Sequence, residues 1–221
     1  MLKVENLLNL SETIAKDIFN GVEYPWEVLP RIGEFIKELG KGLSPEDFYQ
    51  TAENVWVSKH AKVAPSANIN GPAIICKGAE IRHCAYIRGN AIVGENVVVG
   101  NSTELKNVIL FNKVQVPHYN YIGDSILGYK AHTGAGAITS NVKSNKTLVT
   151  ISTTDGKIKT GLKKFGAIIG DNVEVGCNSV MNPGTVLGRN SIVYPLSMVR
   201  GYVSENSIYK KQGDIVDIVE K

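Results

Sequence analysis

The chain has 221 residues, 43% hydrophobic and 20% charged, with a formal net charge of +3. That balance excludes a dedicated nucleic-acid binder, which carries a strong basic excess, and no run of ~20 apolar residues is present to span a bilayer. The start, Met1-Leu2-Lys3-Val4-Glu5, has no apolar signal core, and the three cysteines Cys76, Cys84 and Cys177 fit no zinc spacing, so they read as reduced thiols of a cytoplasmic protein.

Residues 1–50 read as a helical segment. A first short helix carries Ile14 and Ile18 and ends at Gly21. A second places Ile32, Phe35, Ile36 and Leu39 at helical spacing, with Pro30 tolerated in its first turn and Gly40 as its stop. Ser44-Pro45-Glu46-Asp47 predicts a third, capped by Ser44.

From residue 51 to 203 the pattern changes. Val57, Val63, Ile69, Ile75, Ile81, Ile87, Val93, Val99, Leu105 and Phe111 recur every six residues. A small residue stands two positions before most of them, as in Ala61, Ala67, Ala73, Ala79, Ala85 and Ala91. The period returns at Ile169, Val175, Met181, Leu187, Val193 and Val199. Neither a helix nor a plain strand repeats every six residues, but a solenoid of short strands and tight corners does. Three hexads make one triangular coil of 18 residues, and stacked coils sit ~4.8 Å apart. The fold class is therefore mainly β: a parallel β-helix of hexapeptide repeats, left-handed against the usual crossover rule. The register fails within about 147–164, where alternation around Asp155-Gly156 predicts a projecting hairpin arm. It either packs on a neighbouring subunit or forms a surface excursion. Residues 204–221 read as a C-terminal tail.

The coil length makes a geometric statement about chemistry. Arg88 and Lys106 are 18 apart, so they lie on one face of adjacent coils, each directly after an inward aliphatic residue. Two cations so placed repel unless an anion lies between them, and a phosphate would satisfy both. The plainer reading is two splayed cations paired with Glu95 or Glu104. His118, two hexads after Lys106, is a neutral-pH base or a satisfied corner residue. Thr133-Gly134-Ala135-Gly136-Ala137 exposes backbone amides that could hold an oxyanion or a thioester carbonyl, though glycine corners are normal in solenoids. Lys157, Lys159, Lys163 and Lys164 line or follow the arm and either meet cofactor phosphates or edge a solvated hairpin.

Residues from about 85 to 211 together resemble the acetyltransferase domain of the bacterial bifunctional N-acetylglucosamine-1-phosphate uridyltransferase / glucosamine-1-phosphate N-acetyltransferase. The resemblance is carried by Gly100-Asn101-Ser102-Thr103-Glu104-Leu105-Lys106, by His118 with Tyr121-Ile122-Gly123-Asp124, and by Gly134-Ala135-Gly136-Ala137-Ile138-Thr139-Ser140-Asn141. It implies that His118 is the catalytic base and that Arg88 and Lys106 hold the sugar phosphate. Tyr121, Asn141 and Lys146 match acceptor contacts, and His132 stands where the family has an asparagine on the acceptor side. Ala135 and Cys177 match acetyl-CoA contacts, Tyr194 replaces a small residue near the CoA chain, and Lys210 or Lys211 falls where a C-terminal arginine meets the cofactor. The resemblance further implies a homotrimer with acetyl-CoA bound between subunits, a place in UDP-N-acetylglucosamine biosynthesis, and no metal requirement. Where that family carries a uridyltransferase domain, this chain has its first 50 residues, so uridyl transfer is not expected of it.

The expectation is thus an acetyl-CoA-dependent N-acetyltransferase acting on an amino-sugar phosphate. A different class stands beside it: a non-catalytic module that binds a sugar phosphate or partners a nucleotidyltransferase. A zinc enzyme on the same fold would need three converging histidines, and His60, His83, His118 and His132 are not spaced to repeat on neighbouring coils.

Overall fold

The structure, a computed structural model, describes residues 1–211 and 214–217, with the backbone alone for Lys211, Asp214 and Val216. It is a left-handed parallel β-helix whose short strands stack on three faces. Face one begins with Val55–Ser58, Ala73–Ile75 and Ala91–Val93 and ends with Tyr202–Val203. Face two runs from Asn68–Ile69 through Tyr86–Ile87 to Met198–Val199. Face three runs from Lys62–Val63 to Ser207–Lys211. The strand Ser207–Lys211 therefore continues the solenoid into the stretch read as a tail, and pairs antiparallel with Asp214–Asp217.

The inward residues are those the hexad period selects: Ile75, Ile81, Ile87, Val93, Val99 and Leu105 are buried, as are Ile169 through Val199 after the arm. One step departs from the expected coil. Leu105 pairs with Ile87, 18 residues earlier, but Val108 pairs with Ala91, only 17 earlier. The corner after Arg88 spends two left-handed residues, Gly89 and Asn90, whereas the corners after Lys106 and Gly123 spend one each, Asn107 and Asp124. Leu110, not Phe111, consequently takes the inward position. Phe111 turns outward, buried, with its ring 6.0 Å edge-on from Phe19.

That contact belongs to the N-terminal segment, which lies along face one. The outward residues of that face, Ile74, Ile92, Ile109, Ile126, Ile168 and Val186, are fully buried beneath it. Triplets such as Ala73-Ile74-Ile75 are apolar throughout because both sides of this face are covered. Within the segment, Val4–Leu7 and Ile32–Lys41 are α-helical, and Pro25–Arg31 is a 3₁₀ run that feeds into the second helix. Ile18 lies in a 3₁₀ turn, Lys16–Phe19, that does not include Ile14. The third helix does not form. Ser44 instead caps a turn, its Oγ accepting from the Glu46 amide at 3.1 Å, and the chain enters the strand Phe48–Ala52. Gly40 is not a stop either. The helix continues to Lys41, and a Cβ at Gly40 would sit 2.3 Å from the Trp56 ring.

The arm is the antiparallel pair Thr150–Thr153 and Gly156–Lys159. Its root lies back on its own solenoid: Val149 and Ile151 are buried, and Gly184 and Gly201 leave room for the Thr150 and Ser152 backbone. Its turn, Thr154 to Gly156, is exposed. No helix among the described residues is long and apolar enough to cross a membrane.

Candidate functional site

Two corner columns flank face two. The first follows the face-two strands and contains Arg88 and Lys106, in register as expected because the Arg88 amide donates to the Leu105 carbonyl at 2.8 Å. The two cations do not share a vacancy. Arg88 Nη1 donates to Glu104 Oε1 at 2.7 Å, and this bond pushes the guanidinium pKa further up. Lys106 Nζ donates to both oxygens of Asp124, at 2.8 and 3.0 Å. The plainer reading thus holds for Arg88 and Glu104 in this state.

Asp124 is the hub that the sequence reading passed over. It is 3% exposed and also receives Asn107 Nδ2 at 3.0 Å and the Asn141 amide, while Asn141 Nδ2 reaches the Tyr121 hydroxyl at 3.2 Å. Asn107 ties the hub to the N-terminal segment through the Leu29 carbonyl, 3.2 Å away. The signal was available, since Asp124 lies 18 residues after Lys106, a charge-complementary pair at coil spacing. Tyr121 folds over Gly123, whose missing Cβ would lie 2.5 Å from the phenol oxygen. Burial raises the Tyr121 pKa, helped by the charges of Asp124 and Glu104. Arg88, Lys106, Tyr121 and Asn141 therefore form one cluster. Lys146, exposed in the turn after Lys143, is not held in it by any hydrogen bond or ion pair.

The second column follows the face-three strands. Backbone amides of Tyr119, Gly136, Asn178 and Leu196 donate to the carbonyls of Asn101, His118, Ala135 and Cys177. His118, Ala135 and Cys177 are therefore stacked on successive coils, each followed by a left-handed residue, Tyr119, Gly136 or Asn178. His118 is exposed. In the glycine-rich run, the amides of Gly134, Gly136 and Ala137 are spent within the solenoid, whereas among the described residues that of Ala135 has no acceptor. The same is true of Cys177, whose sulfur lies over Gly134. Tyr194 stands exposed on the next coil, and its amide donates to the Tyr209 carbonyl at 2.9 Å, which brings Lys210 beside it. The Lys211 side chain lies outside the described residues.

His132 is in neither group. It projects from face three between Gln115 and Glu174, with its Nδ1 2.6 Å from Glu174 Oε2. Nor does one chain bring His118 against Lys106. They stand at opposite edges of face two, separated by its strand width, about 10 Å at ~3.3 Å per residue. Tyr121 lies between them.

Comparison with known proteins follows the same span. Residues 69–193 match the family described as the GMPPB C-terminal domain. The chain is 35% identical over 201 residues to the bifunctional protein GlmU of Methanococcus vannielii, covering 90% of this chain and 48% of that one. It is 30% identical over 126 residues to the bifunctional sugar-1-phosphate nucleotidylyltransferase/acetyltransferase of Sulfurisphaera tokodaii, covering 57% of this chain and 31% of that one. A solved acetyltransferase domain of PglB from Neisseria gonorrhoeae FA1090 aligns at 14% identity with a TM-score of 0.37, over 86% of this chain and 72% of that one, which carries no functional argument. The chain spans about half the length of the curated relatives it matches.

Proposed function

The chain belongs to the family of the GMPPB C-terminal domain, and from that premise we propose that it transfers the acetyl group of acetyl-CoA to the amine of an amino-sugar phosphate. The observation that carries the reading is the second corner column, where an exposed imidazole is stacked one coil from an unspent amide. The acetyltransferase half of the Sulfurisphaera relative's name supports the same class.

In this mechanism the acceptor lies across Tyr121, its phosphate toward Arg88 and Lys106 and its amine toward His118. Arg88 and Lys106 orient it. His118 takes a proton from the amine as nitrogen attacks the thioester carbonyl. The Ala135 amide donates to the oxyanion of the tetrahedral intermediate. Collapse expels CoA thiolate, which takes the proton from the imidazolium. Cys177, Tyr194 and Lys210, stacked below, provide the wall along which the CoA chain runs. A homotrimer would bring a neighbouring copy against face two and close a site that one chain leaves open.

The test is release of CoA thiol from acetyl-CoA with glucosamine-1-phosphate, in wild type and His118→Ala. A loss of ~100-fold or more in the variant is expected. Turnover unaffected by the substitution would remove His118 from the mechanism. No turnover across a panel of amino-sugar phosphates would favour a non-catalytic sugar-phosphate-binding module, a reading consistent with the carboxylates already paired to Arg88 and Lys106.

A further inference from the structure

The column of Arg88 and Lys106 continues beyond the proposed acceptor site. Lys106 pairs with Gly123, and farther along the Ser140 amide donates to Met181 and that of Asn182 to Val199. Lys106, Gly123, Ser140, Asn182 and Arg200 thus follow one another coil by coil. Four steps of ~4.8 Å set Arg200 about 19 Å along the axis from Lys106. There the hairpin arm and the solenoid corner enclose a cavity of about 360 Å³. Ser140, Asn182 and Arg200 line it from the solenoid, and Lys143, Asn145 and Lys157 from the arm.

The electrostatics differ from those of the first cluster. Arg88 and Lys106 each rest on a carboxylate, whereas the residues lining this cavity include three cations and no Asp or Glu. Lys143 makes only a long bond, 3.4 Å, to the Leu148 carbonyl. The nearest acid in sequence, Asp155, lines a separate groove with Met1, Lys3 and Tyr24. Three like charges around one cavity repel unless an anion enters, and a guanidinium flanked by two ammonium groups matches the oxygens of a phosphate.

We propose that this cavity is a second anion site that takes the phosphate or diphosphate group of a ligand. It uses none of the residues assigned to acetyl transfer, so it stands or falls separately. Two sources share this chemistry, the diphosphate of CoA and that of a nucleoside diphosphate sugar.

The experiment is calorimetric titration of the full chain with inorganic pyrophosphate at fixed ionic strength. Arg200→Ala, Lys157→Ala and Lys164→Ala are compared with wild type. All three side chains are exposed, and Lys164 does not line the cavity. Saturable binding is expected, weakened by about tenfold or more in each of the first two variants and unchanged in the third. Displacement of pyrophosphate by CoA would identify the cofactor as the source, and displacement by UDP a sugar nucleotide. Either result upholds the site. Absence of saturable binding, or binding that Arg200→Ala leaves unchanged, overturns it.

Discussion

Gly40→Ala sets two effects against each other. Alanine is the better helix former by about 1 kcal/mol in a helix interior, and Gly40 lies in the helix Ile32–Lys41, so propensity alone favours the substitution. Packing opposes it. The new methyl would lie 2.3, 2.4 and 2.4 Å from three carbons of the Trp56 ring, whereas ordinary contact begins at 3.4 Å. The indole must retreat by about 1 Å, yet it is 8% exposed and held between the helix and face one. Overpacking of this kind costs about 1–3 kcal/mol, and the propensity gain is smaller near a helix end, so packing wins. The expected net loss is about 1–2 kcal/mol, read as a fall of a few degrees in the thermal midpoint. Trp56→Ala should abolish the penalty, so that adding Gly40→Ala to it becomes neutral or stabilising, which a double-mutant cycle in urea measures. A stabilised single variant would refute the reasoning.

Burial pushes the Cys76 thiol up to about 12, so at pH 8 only about one molecule in 10⁴ is thiolate there. Iodoacetamide should therefore modify the exposed Cys84 and Cys177 but leave Cys76 until the protein is unfolded, and intact mass will show a third rapid adduct if this is wrong. Because its pKa is raised from 9.0, this thiol supports the fold fully below pH 9, and that contribution is lost as pH climbs toward 12. Cys76→Ala should flatten the stability profile across that window. The two cations of the first cluster should also separate in their effects. Arg88 is 46% exposed and its pair with Glu104 is worth little, so Arg88→Ala should raise KM for the acceptor with little change in melting. Lys106→Ala strands Asp124, whose side chain is 5% exposed, and should lower the melting temperature as well; equal melting for the two variants would contradict this assignment.

The solenoid was legible because its core is one-dimensional: each inward residue answers only to its neighbours in adjacent coils, so Ile75, Val93 and Val99 announce the fold by period alone. The same rule explains what escaped. A corner that closes on Asn107 alone, instead of on Gly89 and Asn90, shortens the coil by one residue, and no local preference distinguishes the two, since asparagine tolerates the left-handed region in both. The slip turned Phe111 from core to interface. The N-terminal segment was misread in detail because its 3₁₀ turns follow the surface they cover, and what they cover was written elsewhere, in the second apolar residue of Ala73-Ile74-Ile75 and its counterparts. The site divides along the same line. Arg88 over Lys106 and Ala135 beneath His118 follow from coil spacing. The partners that decide their charge, Glu104 and Asp124, depend on side-chain rotamers across the corner that the shortened coil creates. The slip that misplaces Phe111 also turns Asp124 toward Lys106. An error of one residue in the repeat therefore becomes an error of one full charge at the place where an acceptor phosphate would arrive.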